Sequence, residues 1–242
     1  MKIDKFEWNG FKGEKFDFEG LSAHIVFPNV ERNGRWALKT EYWDAFPATE
    51  IELLNRGWCI AYNQNYRRIT SELDLNRKRN FINFISKTYS LDEKCTIVGM
   101  SCGGMYGIDM AALCPELIQA MYLDAPVVNL LSWPLRLGRD PKEHQNKEFF
   151  ESTGMTISQA LGYRNHPLDK FPILAENKIP IILVSGDCDD SVPFHENGAL
   201  LEEYYKQRGL DIIVHIKPGG GHHPHGYTDV KLIADEIESY YA

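Results

Sequence analysis

The sequence predicts an α/β protein. Its central sheet should be mostly parallel with helices on both faces, with antiparallel strands at the N-terminal edge and a mostly helical insertion. Three observations predict this. From residue 47 onward, short β-branched apolar segments alternate with segments of helical period, the pattern of repeated βαβ units. One short segment, "IPIILVSGD" from Ile179, is apolar throughout, as a strand covered on both faces should be. Residues 127 to 178 break the alternation with the polar, proline-punctuated stretches "SWPLRLGRDPKEHQNKEFF" and "GYRNHPLDKFP" and no convincing strand. They are expected to lie over one end of the sheet.

The elements follow in order. "EKFDFEG" alternates in polarity, Gly20 turns the chain, and "SAHIVFP" is its hairpin partner. Asn33-Gly34 marks another turn, and "RWALKTEYW" is a third strand candidate. "PATEIELLNRG" reads as a helix ending at Gly57, and "WCIAYNQ" as a strand. "SELDLNRKRNFINFISKTYS" opens with Ser71 and Asp74 at capping-box spacing, and Phe81, Ile82, Ile85 and Tyr89 recur at helical intervals. "KCTIVGM" is a strand, "CGGMYGIDMAALC" a helix closed by Pro115, and "QAMYLDAP" a strand. After the insertion and the strand from Ile179 come the helix "ALLEEYYKQRG", the strand "DIIVHIKPG" and the helix "VKLIADEIESYY".

The chain has 242 residues, 43% of them hydrophobic and 25% charged, the balance of a soluble globular protein. One domain over residues 1–242 is expected, with the insertion at about 127–178 inside it. The net charge is −8 and no basic block exceeds "NRKRN", which argues against a nucleic-acid partner. No apolar run approaches the ~20 residues that span a bilayer, so no membrane partner is expected. The start, "MKIDKFEWNG", lacks the apolar centre of a signal peptide. Five unpatterned cysteines read as reduced thiols, so a cytoplasmic location is expected.

The turn between "CTIV" and the following helix carries the chemistry. Gly99-Met100-Ser101-Cys102-Gly103 fits G-x-S-x-G between a strand and a helix. In such an elbow the serine is strained, and the positions two before and two after it have no room for a Cβ. The Ser101 hydroxyl is then exposed at the carboxyl end of its strand, and the Cys102 N–H points to where negative charge would develop. Moving the frame so that Cys102 is the nucleophile puts Met100 at a glycine position. Cys102 is therefore read as a half-buried neighbour that matters through its backbone.

A serine nucleophile needs a base, and a histidine base needs an acid to orient it. The loop after "IPIILVSG" offers Asp187, Asp189 and Asp190, and the loop after "DIIVHIKPG" offers His222, His223 and His225. Asp124, ending "YLDAP", is a further carboxylate at a strand end. Zinc is a poor reading of "HHPH", since adjacent histidines do not easily converge and no Cys or Glu spacing supports it. No metal or cofactor is expected.

On these motifs the chain resembles the α/β-hydrolase superfamily, close to its dienelactone-hydrolase-like and prolyl-oligopeptidase-like serine esterases. The resemblance runs over nearly the whole chain. It implies the acid motif G-x-x-D-x-x-V-P at Gly186, Asp189, Val192 and Pro193, and a base directly after a glycine at Gly221-His222. Ser101, Asp189 and His222 are then nucleophile, orienting acid and base. The second oxyanion donor should follow the third strand of the fold. "WALKTEYWD" has no HGGG-type glycines, so a backbone N–H near Thr40 or Glu41 is expected, with Glu41 preferred.

The implied reaction is ester hydrolysis through an acyl-enzyme on Ser101. "SWP" after "DAPV", with "KPGGGHHPHG", resembles bacterial hydrolases associated with carbohydrate esters, which implies a short-acyl, acetyl-type sugar ester as the partner molecule. Trp133, Arg67, Asp124 and His223 are the expected substrate contacts. Arg136 and Arg139 are either cationic contacts or surface residues. A peptidase, another chemistry of the same site, and a ligand-binding protein without catalysis remain as alternatives. A chain of this size without a propeller makes peptide cleavage the weaker expectation.

Overall fold

A computed structural model describes residues 2–241. The strands are β1 (Ile3–Trp8), β2 (Phe11–Phe18), β3 (Leu21–Val26), β4 (Trp36–Lys39), β5 (Cys59–Asn63), β6 (Cys95–Met100), β7 (Ile118–Asp124), β8 (Ile181–Gly186) and β9 (Ile212–Lys217). The principal helices are α1 (Ala48–Asn55), α2 (Glu72–Tyr89), α3 (Cys102–Leu113), α4 (Glu143–Thr153), α5 (Ile157–Gly162), α6 (Phe171–Glu176), α7 (Gly198–Lys206) and α8 (Val230–Ser239). The strands form a single sheet in the order β1-β2-β3-β5-β4-β6-β7-β8-β9. The first three pair antiparallel and β3 meets β5 antiparallel; the pairs from β5 through β9 are parallel.

Side-chain alternation builds two cores. Ile25, Leu38, Ile97, Leu123 and Leu183 face one layer with Phe81 and Ile85 of α2 and Tyr205 of α7. Their chain neighbours Val26, Ala37, Val98, Tyr122 and Val184 face the other, with Leu53 of α1 and Ile233 and Ile237 of α8. The period of two along each strand sends successive residues to opposite faces. Both faces are helix-covered, so the parallel strands are apolar without interruption.

The expected ends of α2 hold. Ser71 caps α2, its hydroxyl accepting from the Asp74 N–H at 3.1 Å. The helix stops where Ser90 turns left-handed at φ 54°. Strand β1 is absent from the sequence expectation. Only Trp8 of its six residues is buried, so it carries almost no hydrophobic pattern.

Residues 127–178 contain helices and turns and, among the described residues, no strand. Val127, Leu130, Trp133 and Leu135 pack with Phe149 of α4 and Ala160 of α5 against Cys102 and Met105. That places this part of the segment over the carboxyl ends of the strands. The last helix, α6, departs from the expectation. Its Phe171 and Leu174 join the sheet core beneath. All five cysteines are free thiols. Among the described residues, no helix is long and apolar enough to cross a membrane.

Candidate active site

The turn from β6 into α3 is held in the conformation the glycines foreshadow. Ser101 has φ 53° and ψ −118°, a backbone an L residue adopts only under constraint. The constraint comes from β7 and the loop after it. The Ser101 N–H donates to Asp124 O at 2.9 Å, and the Val127 N–H donates to Ser101 O at 3.1 Å. A Cβ on Gly99 would stand 2.7 Å from Gly103 O, and one on Gly103 would stand 3.1 Å from Thr40 Oγ1.

The loops after β8 and β9 bring their polar groups to the same place. His222 Nε2 lies 3.1 Å from Ser101 Oγ, and His222 Nδ1 lies 2.7 Å from Asp189 Oδ2. With the ring proton on Nδ1, that nitrogen donates to the carboxylate and Nε2 is free to accept from the hydroxyl. The second Asp189 oxygen accepts from the N–H groups of Ser191 and Val192, each at 2.8 Å. These bonds fix the carboxylate without using the oxygen that faces the ring. The His222 loop is pressed onto the end of β8. A Cβ on Gly186 would lie 2.1 Å from Gly220 O, and the Cys188 N–H donates to that carbonyl at 2.9 Å.

The neighbouring carboxylates do other things. Asp187 accepts from the Gly219 N–H at 2.7 Å. Asp190 is exposed and accepts from Arg136 at 3.0 Å, which holds its carboxyl below the usual range. Arg136 and Arg139, weighed above as substrate cations, instead both donate to Asp190 O, at 2.8 and 2.5 Å. They clasp the acid loop to the segment after β7. Asn197 adds to the clasp, its side-chain oxygen accepting from the N–H groups of Val128 and Asn129.

Cys102 corrects one expectation. It is fully buried, not half-buried, and burial pushes its thiol up to about 12. Its sulfur is therefore a protonated apolar filler, while its N–H is an orphan donor of the first turn of α3. Of the two amides expected across from it, that of Thr40 is spent on Val98 O at 3.1 Å. The Glu41 N–H has no protein acceptor among the described residues and adjoins Gly103. The Glu41 side chain turns inward. Its carboxylate accepts from Asn65 Nδ2, which also donates to Thr40 O at 2.9 Å; burial raises its pKa.

A cavity of about 280 Å³ opens at Ser101 and His222, between Tyr42, Phe46, Trp133 and His223. Trp133 and His223, two of the expected substrate contacts, both line it. His223 is exposed, stacks on Phe46 with ring centroids 5.6 Å apart, and is held below the usual imidazole range by burial and by its histidine neighbours. Arg67 is not at the cavity. Its guanidinium donates to Ser152 O at 2.6 Å. The cavity cation is Arg68, which lies over the Trp133 ring at 5.7 Å and pairs with Glu148. Asp124 also does not face the cavity. It is buried behind the His222 loop, where it accepts from the Gly226 N–H and faces His225 Nδ1 at 3.2 Å. Sequence reasoning missed Tyr42, Phe46, Gln145 and Ser191 as cavity residues. The three histidines, which the sequence did not lead one to expect to converge easily, face one another. A ring nitrogen from each of His222, His223 and His225 lies within 4.8 Å of the other two.

The sequence profile of the prolyl oligopeptidase family matches residues 79–242, more than half of the chain. The chain belongs to the prolyl oligopeptidase family. That family lies within the α/β-hydrolase superfamily, and similar solved structures share the fold. Est1E from Butyrivibrio proteoclasticus aligns at 16% identity over 99% of this chain and 97% of its own, with a TM-score of 0.63. TT1662 from Thermus thermophilus aligns at 12% identity over 99% and 98%, with a TM-score of 0.68. Porphyromonas gingivalis dipeptidyl peptidase 4 aligns at 17% identity over 97% of this chain, with a TM-score of 0.67. This chain spans only 36% of that protein, about a third, and 35% of a Bacteroides ovatus dipeptidyl aminopeptidase IV homologue. No curated protein matches by sequence.

Proposed function

We propose that this family member is a serine esterase that cleaves short-acyl esters, with O-acetyl sugars as the preferred class. Ser101 is the nucleophile, His222 the base and then the acid, and Asp189 the residue that orients the ring. The single observation that carries the reading is the unbroken run from Asp189 Oδ2 through His222 to Ser101 Oγ, at 2.7 and 3.1 Å. Nε2 takes the hydroxyl proton as Ser101 attacks the ester carbonyl. The oxyanion then forms between the N–H groups of Cys102 and Glu41. Collapse expels the alcohol, which takes the proton from Nε2. Water, deprotonated by the same nitrogen, releases the acid and frees Ser101.

The cavity supports the ester class. Its volume is near the lower limit of small-molecule pockets, which suits a small acyl group. Trp133 offers a ring face, and Gln145 and Ser191 offer hydrogen bonds, the mixture a sugar ring uses. The family name favours a second reading, a peptidase. Against an aminopeptidase stands one feature: among the described residues no Asp or Glu lines the cavity. Glu148, the carboxylate paired with Arg68, is already neutralised, so a substrate ammonium has no charge partner there.

The test is hydrolysis of p-nitrophenyl acetate, acetylated sugars and dipeptide anilides by the wild-type chain and by Ser101→Ala. Turnover of the acetyl esters that Ser101→Ala abolishes supports the proposal. Turnover of the anilides alone replaces it with the peptidase reading. Failure of a fluorophosphonate to label Ser101 removes both.

A further inference from the structure

We propose that His222, His223 and His225 form a zinc-binding site whose occupation switches the hydrolase off. The inhibitory half rests on the esterase reading above; the binding half does not.

The three rings pack edge to face at the cavity, with centroids 4.8, 4.8 and 5.0 Å apart. One nitrogen from each lies within 4.8 Å of the other two. Tetrahedral zinc with Zn–N bonds of about 2.0 Å sets its nitrogens about 3.3 Å apart. The widest pair therefore closes by roughly 1.5 Å, a movement of side chains on one loop. Three imidazoles and an open fourth position select zinc over calcium or magnesium, which take oxygen ligands.

A second observation comes from behind the cluster. His225 and Asp124 are both buried, and His225 Nδ1 faces Asp124 Oδ1 at 3.2 Å. Neither atom completes a hydrogen bond there, although Lys217 Nζ stands 3.8 Å from the same oxygen. Buried polar atoms left in this way are costly. A cation on His225 Nε2 fixes the ring proton on Nδ1 and aims it at the carboxylate. That is the outer-shell arrangement of metal-bound histidines.

Inhibition follows from which atom is taken. His222 Nδ1 is held by Asp189, so Nε2 is its ligand atom. That is the nitrogen 3.1 Å from Ser101 Oγ. Its lone pair, once given to zinc, cannot accept the hydroxyl proton.

Zinc chloride titrated into the full chain by calorimetry is expected to show one site. His223→Ala and His225→Ala should each weaken it more than about tenfold, the scale on which even an outer partner matters. His195→Ala, on the exposed surface, should leave it unchanged. p-Nitrophenyl acetate hydrolysis should fall with occupancy and return with a chelator, each variant compared with its own zinc-free rate. Cobalt(II) added to the wild-type chain should give the intense visible bands of a tetrahedral nitrogen site, which needs no substitution at buried His225. Zinc affinity in both variants equal to that of the wild-type chain, an octahedral cobalt spectrum, or full occupancy with undiminished hydrolysis overturns the proposal. A chain that binds zinc through these histidines but hydrolyses no ester refutes the esterase reading and leaves the metal site standing.

Discussion

Replacing Asp189 with asparagine changes one atom and should silence the site through the neighbouring ring. Asp189 Oδ1 accepts two backbone N–H groups, from Ser191 and Val192, at 2.8 Å each. An amide NH2 cannot take that place, because donors would face donors. The asparagine oxygen therefore stays there, and its NH2 turns to His222 Nδ1, where the carboxylate oxygen was 2.7 Å away. A donor at that point requires Nδ1 to accept, which puts the ring proton on Nε2. Nε2 then cannot take the proton of Ser101, 3.1 Å away. Loss of the correct tautomer with geometry intact costs about 10⁴ in kcat in serine hydrolases, or about 5.5 kcal/mol. The assay is steady-state hydrolysis of p-nitrophenyl acetate, with the fluorophosphonate labelling rate as a second readout. The backbone bonds survive, so the thermal midpoint should move by no more than a few degrees. Asp190→Asn, which touches only the clasp, should lose less than about threefold. An Asp189→Asn enzyme with a tenth of wild-type activity, or an Asp190→Asn enzyme equally impaired, refutes the reasoning.

Three further outcomes follow from the same structure. Gly99→Ala puts a methyl 2.7 Å from Gly103 O; it should cost about 1–3 kcal/mol in urea denaturation and, by shifting α3 against Ser101, about 10²-fold in kcat. Lys39 and Glu50 form a buried ion pair, so Lys39→Met alone should cost about 3–5 kcal/mol, most of it recovered in Lys39→Met/Glu50→Leu. Burial, and next to it Lys15, lower the pKa of His24 from 6.5 to about 4. The unfolded chain takes up this proton first on acidification, so the stability is complete above about pH 6.5 and is lost as pH falls toward 4. That drop equals at most ~3 kcal/mol, nearer 1–2 with solvent at the ring edge. Differential scanning calorimetry should show a steeper fall in Tm from pH 7 to 4.5 in wild type than in His24→Phe.

The sequence is most legible where a constraint is steric and local. The elbow needs glycines at 99 and 103 because backbone atoms meet there, and no distant residue alters that need. Parallel strands read easily because both faces are apolar. Edge strand β1 is illegible for the opposite reason: one buried residue in six makes no period. Arg67 and Arg68 show a second limit. Adjacent residues on a loop point different ways, and the direction is set by partners far away, Ser152 for one and Glu148 for the other. Asp124 shows a third. A carboxylate at a strand end looks like a site residue, but whether it faces the cavity or the back of a loop depends on how residues 222–226 fold over it. The three histidines converge for the same non-local reason.

The clasp made by Arg136 and Arg139 on Asp190 O has a practical corollary. Helix α4 carries Gln145 at the cavity, while Phe149 of α4 and Ala160 of α5 pack with Cys102 and Met105, so an exchange within residues 143–162 that retunes specificity has to keep those two packing residues. The stretch from Ser132 to Arg139 is not a spare part, since its guanidinium groups steady the loop beside Asp189. A graft that crosses Arg139 would trade recognition against turnover, whereas one that begins beyond it would leave the reaction centre anchored.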